Sequence, residues 1–420
     1  MWRALYTALL VAALPFILAR LWWRGRREPG YREAIAERFG HSGLEPRPQL
    51  LWLHAVSVGE ARACAPLVSA LQREHPDHDV LLTCLTAAGR EAIGQVYGES
   101  VHCAWLPYDY PWAVQRFLKH FRPRLGVLVE TEVWPNLVRA CMRNGVPLLL
   151  ANARMSHKSV RGYQRIAPLL RPAFEGLAAA CAQGEADARR LRRLGTANVT
   201  VTGNLKFDIE PDPAKSGEGK AFRTALRRRK VLLLASTREG EEELLLAELG
   251  TRDDGMLIVV VPRHPQRFDA VAALAQRMGF TLARRSLGEA PHQGRRLYLG
   301  DTMGEMAFYY ALADVAVIGG SFAPLGGQNL LEGCAAGIPV VTGPHMYNFA
   351  DVTRLAVQAQ AAIQAHDGAK ALRTARALLE DPERCARMGI AGKRLCAEHR
   401  GAAERHLAVC RGLLRARAPG

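Results

Sequence analysis

Apolar runs of four to seven residues alternate with helix-length amphipathic stretches along most of this chain. Leu50–Val56, Asp79–Leu85, Val101–Leu106, Leu125–Glu130, Pro147–Asn152 and Leu177–Ala182 read as buried strands. Ala61–His75 and Ala87–Tyr97 carry helical spacing between the first of them. Near-continuous apolar strands separated by helices mark a parallel sheet with crossover helices. The alternation breaks at Glu210–Lys220, a polar stretch with two prolines and two glycines, which reads as a linker. It then restarts: strands at Lys230–Ala235, Met256–Val261, Val315–Ile318 and Pro339–Thr342, and helices at Gly240–Leu249, Gln266–Met278 and Gly327–Ala336. From Ala369 the pattern is helical and ends in a basic segment, Arg411 to Arg417. The expected organisation is an N-terminal segment at 1–23, an α/β domain at 24–209, a linker at 210–228 and a second α/β domain with a helical tail at 229–420. A cleft between two such domains, and the carboxyl ends of their strands, are the expected binding places.

The N-terminal segment has a different pattern. Ala4 to Ala19 carries no charge, Trp2, Trp22 and Trp23 flank it, and Arg24, Arg26 and Arg27 follow. Counted from Trp2 to Trp23 it approaches the roughly 20 residues that cross a bilayer. Tryptophans at both ends and arginines behind favour an uncleaved anchor with the body on the cytoplasmic face. A cleaved signal peptide would place its charge in front and small residues behind. A helix lying in the membrane interface is the third reading, kept open by Pro15.

Charge narrows the partner. Fifty-six Lys and Arg against 40 Asp and Glu give a net charge of +16. Such a surplus points to an anionic partner. No zinc knuckle or aromatic-rich basic module suggests nucleic acid, so lipid or phosphate is the expectation. Nine cysteines lie singly, without a Cys-x-x-Cys pair, as expected of buried free thiols.

Four stretches carry candidate chemistry. LLWLHAVSVGE, Leu50 to Glu60, is a strand, a turn with Ser57 and Gly59, and a carboxylate at a helix start, where the dipole would keep Glu60 ionised. From position alone, cap and catalyst are equally good readings of Glu60. VETEVWPN places Glu130 and Glu132 after a strand; it lacks the Asp-x-Asp of a metal-dependent nucleotide-sugar site. Asn152–Arg171 is strongly basic and carries Tyr163, which suits lipid phosphates beside a membrane. In the second half, GGSFAPLGGQNLLE (Gly319–Glu332) has glycines that admit a ligand to the backbone. Gln328, Asn329 and Glu332 would sit on the first turn of the following helix. The loops ASTREGEE and VPRHP add Ser236, Thr237 and Arg238, and Pro262, Arg263 and His264. Arg and His are natural partners for a phosphodiester.

HAVSVGE, VETEVWPN, NARMS, GNLKFD (Gly203–Asp208), STREGEEE and GGSFAPLGGQNLLE, in that order, resemble the motif set of the bacterial 3-deoxy-D-manno-octulosonic acid (Kdo) transferases. The resemblance runs from the anchor to about Gly343. It implies a GT-B fold, two Rossmann-like domains facing across a cleft, anchored at the inner membrane by the N-terminal helix. It implies CMP-Kdo as donor, a tetraacyl, bisphosphorylated lipid A precursor as acceptor, and inversion without a metal or other cofactor. The resemblance makes Glu60 the catalytic base and gives the acids of VETE, Glu130 and Glu132, a functional role. Lys206 becomes a candidate for the sugar carboxylate. Candidate substrate contacts are Ser57, Gly59, Thr237, Arg238, Pro262, Arg263, His264, Met303, Gly304, Gly319, Gly320, Ser321, Gly327, Asn329 and Glu332. Three positions depart from the family pattern: Arg238, Leu325 and Gln328 stand where histidines are usual. A GT-B transferase using a UDP-sugar, and an inactive lipid-binding protein, are the competing expectations.

Overall fold

The computed structural model describes residues 1–227, 229–252, 254–291 and 294–416. The chain forms two compact units, Met1–Asp208 with Arg400–Gly420, and Ile209–His399.

Among the described residues each unit holds a seven-stranded sheet. The first contains β1 (Leu50–His54), β2 (Asp79–Cys84), β3 (His102–Trp105), β4 (Leu125–Val129), β5 (Leu148–Ala153), β6 (Ala179–Ala182) and β7 (Val199–Val201), in the order β3-β2-β1-β4-β5-β6-β7. The second contains β8 (Val231–Thr237), β9 (Leu257–Pro262), β10 (Leu282–Arg284), β11 (Leu297–Leu299), β12 (Val315–Ile318), β13 (Val340–Thr342) and β14 (Ala362–Gln364), in the order β10-β11-β9-β8-β12-β13-β14. All twelve recorded strand pairings are parallel. Strands buried on both faces need apolar residues at every position, which is why β1, β4 and β8 read as unbroken runs. Strand order reverses between β1 and β4, and between β8 and β12. Those switch points leave crevices at the carboxyl ends of the strands.

Four sequence expectations change. Glu210–Lys220 is not an open linker: Pro213–Ala225 is a helix, started by Asp212 accepting from the amides of Ala214 and Lys215. Gly219 meets the backbone of Phe308 so closely that a side chain there would collide. The tail does not end with the second unit. Helix Ala402–Ala416 packs in the first, where Arg411 bridges Glu74 at 2.6 Å and Asp208 accepts from Gly401 at 2.7 Å. The short strands β7, β10, β11 and β14 carry too few residues for a legible period.

The fourth change concerns the N-terminal helix, Trp2–Arg27, the one described helix long and apolar enough to cross a membrane. It does not stand away from the first unit. Arg3 donates to Asn136 at 3.2 Å, Tyr6 to Asp109 at 3.0 Å, and the Tyr110 hydroxyl to the carbonyl of Leu10 at 2.8 Å. At the far end Leu21 and Gly25 are buried and the Arg24 guanidinium lies 4.7 Å from the Tyr31 ring. These positions recur at helical spacing, so one stripe of the helix faces the domain along its length. The opposite stripe, Trp2, Leu5, Leu9, Phe16 and Trp23, is exposed.

Candidate active site

β1 delivers Glu60. Its chain leaves the sheet at His54, turns through Val56, and enters a six-residue helix, Val58–Ala63, with Ser57 as N-cap. Glu60 is therefore in the first turn, at the helix start as the sequence suggested, and Pro66 opens a separate helix, Ala65–Glu74. Ser57 and Glu60 form a capping box: the Glu60 amide donates to Ser57 Oγ at 3.4 Å, and Glu60 Oε2 accepts from the amides of Val56 at 2.5 Å and Ser57 at 3.3 Å. No protein group donates to Oε1 among the described residues. Gly59 is exposed beside it.

The expectation of a firmly ionised Glu60 is overturned. Burial raises its carboxyl, and the charges of Glu130 and Glu132 raise it further; the Val56 and Ser57 amides oppose this but leave it at about 7. Desolvation and like charge outweigh the two donors and the dipole of so short a helix.

Glu130 and Glu132 come from the end of β4, which is β1's neighbour in the sheet. Glu130 has φ 64°, a left-handed conformation uncommon for a non-glycine residue, and lies 3.5 Å from Lys206 Nζ. Strain of this kind collects at functional positions. Glu132 accepts from Trp134 Nε1 at 2.9 Å. Its carboxyl is raised mainly by burial, with the Trp134 hydrogen bond working against it and the charge of Glu130 adding to it. Glu60, Glu130, Glu132 and Lys206 thus form one cluster, and both acids of VETE belong to it.

Lys206 is held by a network that sequence reading missed. Asn204 Oδ1 accepts from the Lys206 amide at 3.0 Å, and Asn152 Oδ1 from the Leu205 amide at 3.1 Å. Asn152 has φ 50° and donates its amide to His406 Nε2 at 2.9 Å. His406 Nδ1 donates in turn to the Ala402 carbonyl at 2.7 Å, which settles the tautomer. Burial pulls this imidazole down to about 4, so it stays neutral. The tail helix buttresses the Lys206 loop, although nothing in its sequence pattern marks it as near a site. The basic stretch after β5 forms helices His157–Arg165 and Ala167–Glu175, with Arg154, Lys158, Arg161 and Arg165 exposed.

In the second unit the donor-side candidates lie at the carboxyl ends of adjacent strands. Thr237 and Arg238 end and follow β8, Pro262, Arg263 and His264 end and follow β9, Met303 and Gly304 follow β11, and Gly319–Ser321 follows β12. Gly319 lies against Thr237: an added Cβ would be 2.5 Å from the Thr237 Cα. Gly320 and Gly327 have φ 66° and 76°. The helix after this loop begins at Leu331, not Gly327, so Gln328 and Asn329 are loop residues. Asn329 Oδ1 accepts from the Leu331 amide at 3.1 Å, and its Nδ2 donates to Glu332 at 3.3 Å. Arg238, Arg263 and His264 are half-buried and border the crevice; Met303 is exposed. Thr237 and Ser321 are fully buried. The Thr237 hydroxyl donates to Glu242 at 2.9 Å, and Ser321 Oγ accepts from the Gly343 amide at 2.8 Å while donating to the Ile318 carbonyl. Their side chains shape the loops.

Two acids that the sequence presented as part of a charged helix start do the same. Glu241 Oε2 accepts from the amides of Arg238 at 2.9 Å and Gly320 at 2.6 Å, and Oε1 from Phe322 at 2.9 Å. Glu242 joins Thr237 to Arg267, whose guanidinium is 2.9 Å away. The Glu-Gly-Glu-Glu run carried a signal, since acids one and two places after a loop glycine can turn back onto free groups of the preceding loop.

A 3-deoxy-D-manno-octulosonic acid transferase from Bordetella pertussis is 45% identical over 424 residues, covering 97% of this chain and 98% of the relative. This chain belongs to that family. A Kdo transferase from Haemophilus influenzae is 36% identical over 416 residues, covering 97% of each. The family profile "3-Deoxy-D-manno-octulosonic-acid transferase (kdotransferase)" matches residues 33–209, which include the whole Glu60–Glu130–Glu132–Lys206 cluster. Among solved structures, a glycosyltransferase from Rickettsia africae superposes with a TM-score of 0.55 at 12% identity, covering 88% of this chain and 99% of that one. A UDP-GlcNAc 2-epimerase from Neisseria meningitidis gives 0.55 at 15% identity, covering 86% and 98%. These two establish the fold, GT-B, and nothing of the substrate. The protein is a Kdo transferase, an enzyme of the glycosyltransferase class.

Proposed function

We propose that the enzyme transfers Kdo from CMP-Kdo to a hydroxyl of a bisphosphorylated, acylated lipid A precursor, inverting the anomeric centre, without a metal, and with Glu60 as general base. The acceptor oxygen attacks the anomeric carbon, the bond from that carbon to the CMP phosphate oxygen breaks, and CMP departs with the electron pair. The hydroxyl proton passes to Glu60 Oε1, the oxygen that takes no donor among the described residues.

The observation that carries this reading is the placement of Glu60, buried beside Glu130 and Glu132 with Oε2 held by the Val56 and Ser57 amides, surroundings that push its carboxyl up to about 7. A base is most effective when its pKa lies near the working pH. Had the capping box alone governed Glu60, it would be a weak base. Lys206, 3.5 Å from Glu130, is the cation of this cluster and suits the sugar carboxylate. On the second unit, Arg238, Arg263 and His264 are suited to neutralise the departing monophosphate. A UDP-sugar would ask the same loops to clamp a diphosphate.

Membrane association belongs to the same proposal. The exposed apolar stripe of helix Trp2–Arg27 enters the inner membrane from the cytoplasmic side. Its opposite stripe is occupied by the domain, which favours a helix lying in the interface over one crossing the bilayer. Steady-state transfer from CMP-Kdo to the tetraacyl precursor tests the core of this reading. Glu60→Gln lowers kcat by about 10²–10⁴-fold with little change in either KM. Undiminished kcat in this variant overturns the role of Glu60.

A further inference from the structure

Between the N-terminal helix and the first unit lies a cavity of about 350 Å³. That volume is at the lower end of the range of small-molecule sites. Its walls are largely apolar: Leu10 and Ile17 from the helix, Leu106 and Leu137 from the domain. Three guanidinium groups, Arg20, Arg24 and Arg38, line it as well. Arg38 is only 2% exposed. Its guanidinium carbon lies 3.8 Å from the centre of the Trp105 ring, and its Nε and Nη2, without hydrogen-bond partners, are closed off from the cavity space. The carboxylate in the lining, Asp109, is already committed to the Tyr6 hydroxyl and to the amides of Asn136 and Leu137. Three arginines around a cavity whose lining carboxylate is already committed suit an anion.

The cavity also touches the catalytic cluster. Trp134 lines it and donates its indole N–H to Glu132. A molecule seated there has its apolar part against the N-terminal helix and lies one side chain from the acids. We propose that this cavity is the acceptor's own subsite: it takes one acyl chain of the phosphorylated lipid, and Arg20 and Arg24, with the charge of Arg38 in the wall behind them, bind a phosphate of the same molecule. This rests on the acceptor being a phosphorylated lipid, as proposed above. It gives the N-terminal helix a part in substrate binding beyond attachment to the membrane.

The test compares a substitution that fills the cavity with an equal one outside it. Ile17→Trp fills the cavity, and Leu18→Trp changes the adjacent, exposed position. Arg38→Gln removes the buried charge. With the acylated, bisphosphorylated precursor in mixed micelles, Ile17→Trp raises the acceptor KM about tenfold or more, equivalent to losing roughly two buried methylenes. Leu18→Trp leaves it unchanged, and the KM for CMP-Kdo is unchanged in both. Arg38→Gln raises the acceptor KM similarly; should it fail to fold, the Ile17→Trp and Leu18→Trp pair carries the test. A precursor with a photoactivatable acyl chain labels the N-terminal helix in wild type and not in Ile17→Trp. This binding arm stands even if no Kdo is transferred, so it separates failure of the subsite from failure of the proposed reaction. Equal KM and equal labelling in Ile17→Trp and wild type overturn the subsite. So does labelling that excess phosphatidylglycerol abolishes, which would make the occupant a bulk phospholipid.

Discussion

Two sets of buried or half-buried carboxylates sit at equivalent places in the two units, after the strands that flank each switch point, and they are used in opposite ways. Glu241 and Glu242 spend both their oxygens on the fold. Three backbone amides, a threonine hydroxyl and an arginine satisfy them. Glu60 Oε1 takes no donor among the described residues, and its carboxyl is pushed to about 7 by burial and by Glu130 and Glu132. Burial alone therefore does not mark a catalytic acid. What distinguishes Glu60 is burial combined with unspent acceptor capacity and like-charged neighbours. On the proposed mechanism the first unit keeps a reactive group poised at a cost in stability, while the second uses its acids to hold the glycine-rich loop.

The sharpest way to break this contrast is to make the same substitution in both places. Glu60→Gln lowers kcat by about 10²–10⁴-fold while the protein stays folded. Glu241→Gln takes the charge-assisted acceptor away from the amides of Arg238, Gly320 and Phe322. It costs about 2 kcal/mol of stability, seen as a lower unfolding midpoint, and raises the KM for CMP-Kdo. Its pH profile of kcat keeps the wild-type acid limb. If Glu241→Gln instead moved that limb, the two sets would not be functionally distinct.

A smaller effect concerns stability and carries a sign. Glu60 has a folded pKa of about 7 against an ordinary 4.5. Between those values the folded chain holds a proton that the unfolded chain has lost, so stability falls as pH rises through the window. The stabilisation is complete below 4.5 and gone above 7. Gln mimics the protonated acid. Glu60→Gln should therefore be more stable than wild type at pH 8, by about 1–2 kcal/mol, and nearly equal to it at pH 5. Denaturant titrations at the two pH values check this; a loss of stability at pH 8 would mean that the capping hydrogen bonds outweigh desolvation.

The α/β class, the interruption near residue 210 and the positions of the motifs were legible because strand period, helix period and turn glycines are local signals. Glu60, both acids of VETE and Lys206 were legible through the motif set, and the structure brings them together. What was hidden is non-local. His406 lies 254 positions from the Asn152 it holds, in a tail that reads as an ordinary amphipathic helix. The protonation of Glu60 depends on acids about 70 residues away and on its burial, neither of which a helix-start pattern reveals. The N-terminal helix looked like a free anchor because its apolar residues surround it almost evenly. Only the partners of Arg3, Tyr6 and Leu10 show which stripe is taken by the domain.

The smallest expected effect separates the two neighbours of Glu60. Both Glu130 and Glu132 raise its pKa, Glu130 more. Glu132→Gln removes one negative charge, so the acid limb of kcat/KM moves to lower pH by a fraction of a unit. Glu130 is partly compensated by Lys206 at 3.5 Å. Lys206→Met exposes Glu60 to the full charge of Glu130, and the limb should move to higher pH. The two shifts have opposite signs although both variants perturb the same cluster. Loss of the proposed sugar carboxylate contact in Lys206→Met raises the KM for CMP-Kdo at every pH, and leaves the direction of the limb readable. A general disturbance of the site would move both limbs together or neither. Opposite displacements therefore identify the titrating group as a base set by these acids, in contrast with the hydrogen-bonded pair after β8.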